Sequence, residues 1–261
     1  MMSSQTIDFG KTAQDYSQHR AGFPEPFFER LAEFGVGRPG QRVLDLGTGT
    51  GTVARGLARR GCQVIALDPA RPLMDQARRL DQEAGVMVAH LNATAEKTGL
   101  AASSFEVVTA GQCWHWFDRP RAAREVRRLL VPGGHLVIAH FDWLPLPGNV
   151  VEATEQLIQQ VNPAWAMGGG TGLYPAWLGD VAVAGFQNIQ SFSFDVSTVY
   201  SHAAWRGRIR ASAGVAASLP PQQVADFDKA LGRLLAARFP TDPLPVPHRV
   251  FTVICHAPTY T

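Results

Sequence analysis

Val43-Leu44-Asp45-Leu46-Gly47-Thr48-Gly49-Thr50-Gly51 is the stretch on which the fold turns. A short apolar run enters a loop with glycine at every second position. From Thr52 to Arg60 the pattern becomes helical, with Val53, Leu57 and Ala58 on one face. Strand, glycine loop and helix in that order open a βαβ unit. Working outward, Gln63–Leu67 reads as a second strand, and a helix follows from about Pro72 to Glu83 with Leu73, Ala77 and Leu80 inward. Val86–Ala89 and Phe105–Ala110 read as strands three and four. Ala122, Val126, Leu129 and Leu130 mark another helix, Pro132-Gly133-Gly134 stops it, and His135–Ala139 is the fifth strand.

Beyond Phe141 the rhythm breaks. A Pro-rich loop, Asp142–Gly148, precedes a helix that Asn149 can cap with Glu152 three residues on. Trp165–Gly172 is Gly-rich, Pro175–Ala184 is helical in pattern, and Phe186–Phe194 alternates as a strand does. Ser201–Arg238 reads as mostly helical, and Arg249–Cys255 is a strand introduced by Pro243, Pro245 and Pro247. Strands alternating with helices predict an α/β fold: a Rossmann-like, doubly wound, mostly parallel seven-stranded sheet with helical cap insertions. The expected organisation is a helical lid at 1–40 and a ligand-binding core at 41–141, completed by 186–196 and 248–257. Insertions at 142–185 and 197–247 would form the cap.

The 261 residues are 46% hydrophobic, enough for a full core, and carry a formal net charge of +2. That excess is too small and dispersed to argue for nucleic acid. The densest basic run, from Arg119 to Arg128, fits a solvated helix face. No apolar run approaches the ~18 residues of a membrane span, and the polar start Met1–Thr6 is no signal peptide. Cys62, Cys113 and Cys255 are odd in number and widely spaced, as in a cytoplasmic protein with reduced thiols. No clustered Cys/His set calls for a metal.

The glycine loop is a nucleotide loop, because glycines allow positive φ and bring bare backbone to a ligand at the carboxyl edge of the sheet. Dinucleotide enzymes use G-x-G-x-x-G, whereas here Gly47, Gly49 and Gly51 give G-x-G-x-G. Asp45, just before the loop, repels pyrophosphate but suits a ligand bearing an amine and a sulfonium. Both features favour S-adenosyl-L-methionine (SAM) over NAD(P). Asp68 closes the second strand, where an acid accepts hydrogen bonds from ribose hydroxyls; the alternative is a helix N-cap ahead of Pro69 and Pro72.

From Val43 to about Ile138 the chain resembles class I SAM-dependent methyltransferases of the type 11 kind, whose small-molecule branch includes trans-aconitate methyltransferases. The resemblance is carried by the glycine loop with Thr48, by Asp68 and Pro69, and by Asn92-Ala93-Thr94-Ala95-Glu96. Ser104–Val108, Leu129–Gly134 and the run Gln112-Cys113-Trp114-His115-Trp116-Phe117 complete it. It implies that Thr94, Ala95 and Glu96 lie against the adenine and that Gln112 lies by the methionine part. It implies too that Tyr16 and Arg20, one helical turn apart, close over the cofactor. The fourth-strand run differs from the Asn/Asp-Pro-Pro-Tyr motif of base and amide methylators, which points to a small-molecule acceptor. Arg208-Ile209-Arg210-Ala211-Ser212 is similar to a run of the same branch, with Arg210 as the expected anchor.

His115 and His140 end strands at the ligand edge and are the candidates for a general base; a polar core niche and a solvent-facing strand end are their alternatives. Trp114, Trp143, Trp177 and Trp205 are expected at the acceptor site, which suggests a planar or largely apolar molecule. The alternative is that such aromatics build cores. The sequence leaves open an NAD(P)-binding oxidoreductase, a SAM-binding protein that transfers no methyl group, and either a monomer or a homodimer.

Overall fold

A computed structural model of the chain describes residues 22–259. Its helices are α1 (Glu25–Glu33), α2 (Thr52–Arg59), α3 (Arg71–Glu83), α4 (Arg119–Leu129), α5 (Val150–Val161), α6 (Ala176–Val183), α7 (His202–Arg210) and α8 (Pro221–Arg238). Its strands are β1 (Arg42–Leu46), β2 (Gln63–Leu67), β3 (Val88–Leu91), β4 (Phe105–Gly111), β5 (Leu130–Trp143), β6 (Gln187–Tyr200) and β7 (Leu244–His256). They form one mixed seven-stranded sheet in the order β3-β2-β1-β4-β5-β7-β6. The dinucleotide order 3-2-1-4-5-6 lacks the strand that here stands between β5 and β6.

The parallel centre follows from apolar content. Val43, Leu44, Leu46, Val107, Val108 and Ala110 are each fully buried, as strands covered on both faces by helices must be. Asp45 pairs in register with Ala66 of β2 and Thr109 of β4. The chain divides into two compact units. One comprises Gly22–Phe141, Leu173–Phe194 and 250–259, with a core that includes Leu44, Leu46, Trp114, Val126, Ile138, Trp177 and Val253. The other comprises Asp142–Gly172 and Asp195–Arg249, with its own core around Trp143, Ile158, Trp205, Phe227 and Leu231. So α1, expected in a lid, buries Phe27, Phe28 and Leu31 in the first unit. Helix α6, expected in the cap, also belongs to the first unit, because Trp177 and Val181 pack into its core.

Three strands are longer than their sequence suggests. β5 begins at Leu130 and runs through Pro132-Gly133-Gly134, where a register shift opposite Phe105 and Val107 absorbs the irregular residues. β6 continues to Tyr200, and β7 contains Pro245 and Pro247 rather than following them. β3 starts two residues later than Val86. At α5, Asn149 caps as expected, its Oδ1 accepting from Glu152 N at 2.9 Å, but the Glu152 carboxylate accepts from Gly148 N at 2.7 Å.

Candidate functional site

The loop between β1 and α2 takes its shape from three glycines in the left-handed region, with φ of 58° at Gly47, 56° at Gly49 and 80° at Gly51. Gly47 also cannot accept a side chain for lack of space: a Cβ there would lie 2.8 Å from Cys113 Cβ and 2.9 Å from its Sγ. Thr48 N donates to Leu67 O at 3.0 Å and Gly51 N to Thr48 O at 2.8 Å, so the turn is tied to β2 and closed on itself.

Asp68 stands at the end of β2. Its Oδ2 accepts from Gly49 N at 2.9 Å and its Oδ1 from Ala70 N at 2.8 Å. One carboxylate therefore braces the loop and turns the chain at Ala70, the N-cap residue of α3, which itself has no side-chain cap. Burial raises its pKa, and the N–H groups of Ala70 and Gly49 oppose that rise. Asn92, named in the sequence motif without a role, donates to the carbonyls of Asp68 at 2.8 Å and Pro69 at 3.0 Å, fixing this corner from β3.

Asp45 takes a different place from the one expected. It is 1% exposed; its Oδ1 accepts from the Thr109 hydroxyl and its Oδ2 from the Thr48 hydroxyl, both at 2.6 Å. Instead of opening to a ligand, the carboxylate holds the loop from behind. Burial pushes its pKa up to about 6, against the pull of the two hydroxyls and of the Ala54 N–H. Thr109 was not singled out by sequence; its signal is a polar residue within an otherwise apolar strand, in register with an acid.

On the β3 side, Ala95 is buried, Thr94 is exposed, and Glu96 Oε1 accepts from Asp118 N at 3.0 Å. Pro69 is exposed beside Asp68. At the end of β4, Gln112 sits at φ 61°, a left-handed conformation rare outside glycine. Its N donates to Ala139 O at 2.8 Å and its side-chain amide to Phe141 O, joining the ends of β4 and β5. Such strain clusters at functional edges. The His115 and His140 rings lie 5.4 Å apart by centroid, with Trp116 4.7 Å from His115 and Tyr174 4.5 Å from His140. Trp116 is 46% exposed.

The four tryptophans expected to face an acceptor are core residues. Trp114 and Trp205 are fully buried, Trp177 is 3% exposed and Trp143 is 8% exposed. Three indole N–H groups are satisfied internally: Trp114 by Asp180 at 3.1 Å, Trp143 by Glu155 at 2.7 Å and Trp205 by Thr154 at 3.1 Å. An aromatic satisfied at both its apolar and polar ends is packing. Arg210 is engaged by Asp228 at 2.8 Å. Tyr16 and Arg20 lie outside the described residues. Among the described residues no group of His, Cys, Asp or Glu is placed to hold a metal, and no helix is long and apolar enough to cross a membrane.

The corner fits SAM. Three side-chain-free loop positions lie at the carboxyl end of β1, and an acid whose two oxygens each retain acceptor capacity closes β2. Residues 44–138 match a protein family described as methyltransferase domain, whose members use SAM. An uncharacterized methyltransferase of Mycobacterium tuberculosis is 36% identical over 132 residues, which is 50% of this chain and 51% of that protein. The chain thus spans about half the length of the curated relatives it matches. A solved structure from Anaeromyxobacter dehalogenans, provisionally assigned as a type II methyltransferase, superposes with a TM-score of 0.63 at 23% identity, covering 92% of this chain and 98% of that one. Phosphoethanolamine N-methyltransferase 2 of Haemonchus contortus, solved with SAM, superposes at 0.55 and 19% identity, covering 96% and 56%. These likenesses establish the class I methyltransferase fold.

Proposed function

We propose that this chain, whose residues 44–138 carry a SAM-dependent methyltransferase domain on a class I methyltransferase sheet, methylates an oxygen or nitrogen of a small molecule. The observation that carries the reading is the bond from Gly49 N to Asp68 Oδ2, which joins the glycine loop and the ribose-type acid into one corner. Bound there, SAM supplies a methyl group on a sulfonium that departs as a neutral thioether.

The chain's own part is to bind, orient and exclude water. Gly47, Thr48, Gly49 and Gly51 present backbone, with Asp45 supporting them from behind. Asp68 and Pro69 receive the ribose, Thr94, Ala95 and Glu96 border the adenine, and Gln112 borders the methionine part. His115 or His140 takes the proton from an acceptor hydroxyl or N–H group; a carboxylate or free ring nitrogen needs no base. Partly exposed Tyr174 and exposed Trp116, each beside one of these histidines, support a planar or apolar acceptor. Kinship with the trans-aconitate branch rests on the Gln112–Phe117 run. The ion pair of Arg210 with Asp228 lends no support to an acidic acceptor. Three buried free thiols fit a cytoplasmic setting.

Thermal-shift titration with SAM, its demethylated product and NADH tests the cofactor; stabilisation by NADH alone ends this reading. Incubation with methyl-labelled SAM and a metabolite extract tests transfer. Tight SAM binding with no label transferred would leave a SAM-binding protein of the same fold.

A further inference from the structure

We infer that Arg55, Asp81 and His90 form a positioning chain that sets the glycine loop for its cofactor, an inference that rests on the reading of Gly47–Gly51 as the SAM loop. The three side chains come from α2, α3 and β3 and are only 11%, 5% and 8% exposed. Arg55 Nη2 donates to Thr50 O at 2.6 Å, and its Nε lies 3.0 Å from Asp81 Oδ1. The second Asp81 oxygen lies 3.0 Å from His90 Nε2. One tine of the fork is hydrogen-bonded to a loop carbonyl, and its base is held beside a carboxylate by charge, an ion pair without hydrogen-bond geometry.

The consequence falls on one peptide plane. Between Thr50 and Gly51 the N–H donates to Thr48 O at 2.8 Å, and the C=O accepts from Arg55. Both ends of the plane are pinned, so it cannot flip. This is the plane where the loop enters α2, and Gly51, the N-cap there, has no side chain to cap with. A Cβ on Gly51 would lie 3.3 Å from Arg55 Nη2 and 3.7 Å from Asp81 Oδ1, so the chain packs directly on the loop's last residue.

A buried ion pair is a weak device for stability, since desolvation offsets its attraction and apolar residues of like volume serve as well. What apolar residues cannot do is hold a carbonyl. Arg59 and Glu83 act on Arg55 from α2 and α3, and Arg78 acts on His90 from α3. Neither Arg59 nor Glu83 substitutes for the Arg55–Thr50 bond.

Two variants separate positioning from packing. Arg55→Lys keeps a charge for Asp81 but has no fork to reach both partners. The double variant Arg55→Met with Asp81→Leu removes both charges together, and with them the bonds to Thr50 O and His90 Nε2, leaving His90 in the neutral form that its burial favours. Each is expected to keep the wild-type melting temperature within a few degrees, to weaken SAM about tenfold by calorimetry, and to speed amide hydrogen exchange at Thr50 and Gly51 in the cofactor-free protein. A folded double variant with wild-type SAM affinity and wild-type exchange overturns the inference. If the double variant does not fold, Arg55→Lys decides by the same two readings. If the wild-type protein binds no SAM, the cofactor reading fails, and exchange at Thr50 and Gly51 still decides whether the chain orders the loop.

Discussion

The backbone N–H of Gly49 and the carboxylate of Asp68 meet at 2.9 Å, from the ends of two neighbouring parallel strands. Asp68 braces the loop, and in the proposed reading it also accepts from the ribose hydroxyls. Asp68→Ala removes both, and SAM affinity is expected to fall by about 1–3 kcal/mol, read by isothermal titration. Asp68→Asn turns an amide N–H toward one of two backbone donors and should recover little of the loss. Wild-type affinity in Asp68→Ala would reduce the residue to a holder of the turn before α3.

Two loop glycines should fail in different ways. Gly47→Ala drives a Cβ into Cys113 at a left-handed φ, so the fold itself suffers, by about 1–3 kcal/mol. In a domain of this size that is a melting point lowered by roughly 2–4 °C per kcal/mol. Gly49→Val places a β-branched residue at φ 56° and is expected to abolish SAM binding while circular dichroism stays that of a folded protein. SAM titrating normally into Gly49→Val would sink the loop assignment.

Burial lifts the Asp45 pKa from its ordinary 3.8 to about 6. The folded state thus holds this proton more tightly than the unfolded state does. Stability from this group is full below pH ~4, is lost as pH rises to ~6, and is flat above, with a total change of about 3 kcal/mol. Asp45→Asn has no proton to lose, and each threonine hydroxyl can turn to donate to or accept from the amide. The difference in unfolding free energy, variant minus wild type, should grow across pH 4 to 6 in urea melts. A difference that stays level with pH would show that Asp45 ionises without penalty.

His140 packs beside Tyr174, so His140→Phe keeps a ring in place. With an acceptor that must lose a proton, kcat is expected to fall by about 10²–10⁴ with SAM affinity unchanged. An unchanged kcat would pass the role to His115, or show that the acceptor needs no base.

Much of this was legible because buried parallel strands are continuous apolar runs. Arg42–Leu46 and Gln63–Leu67 end where the sequence says, and the G-x-G-x-G loop and Asp68, both visible in the sequence, meet in the corner proposed for the cofactor. Where sequence and structure differ the cause is shared: a local signal does not say what neighbours the fold will bring to it. Pro132-Gly133-Gly134 reads as a stop only until β4 offers a register shift to absorb it. Asp45 reads as a ligand group only until Thr109 is placed beside it by strand pairing. The tryptophans read as a pocket because a run of aromatics says nothing of which cluster it fills. Arg55, Asp81 and His90 lie on three elements with no shared motif, and only the packing of α3 on the loop assembles them.

The unit formed by Asp142–Gly172 and Asp195–Arg249 encloses its own nucleus, in which the Trp205 indole bonds to Thr154 and Phe227 and Leu231 are sealed from water. A module that keeps its own interior can change its outer residues without unpacking that nucleus, although its two stretches are separated in the chain by Leu173–Phe194.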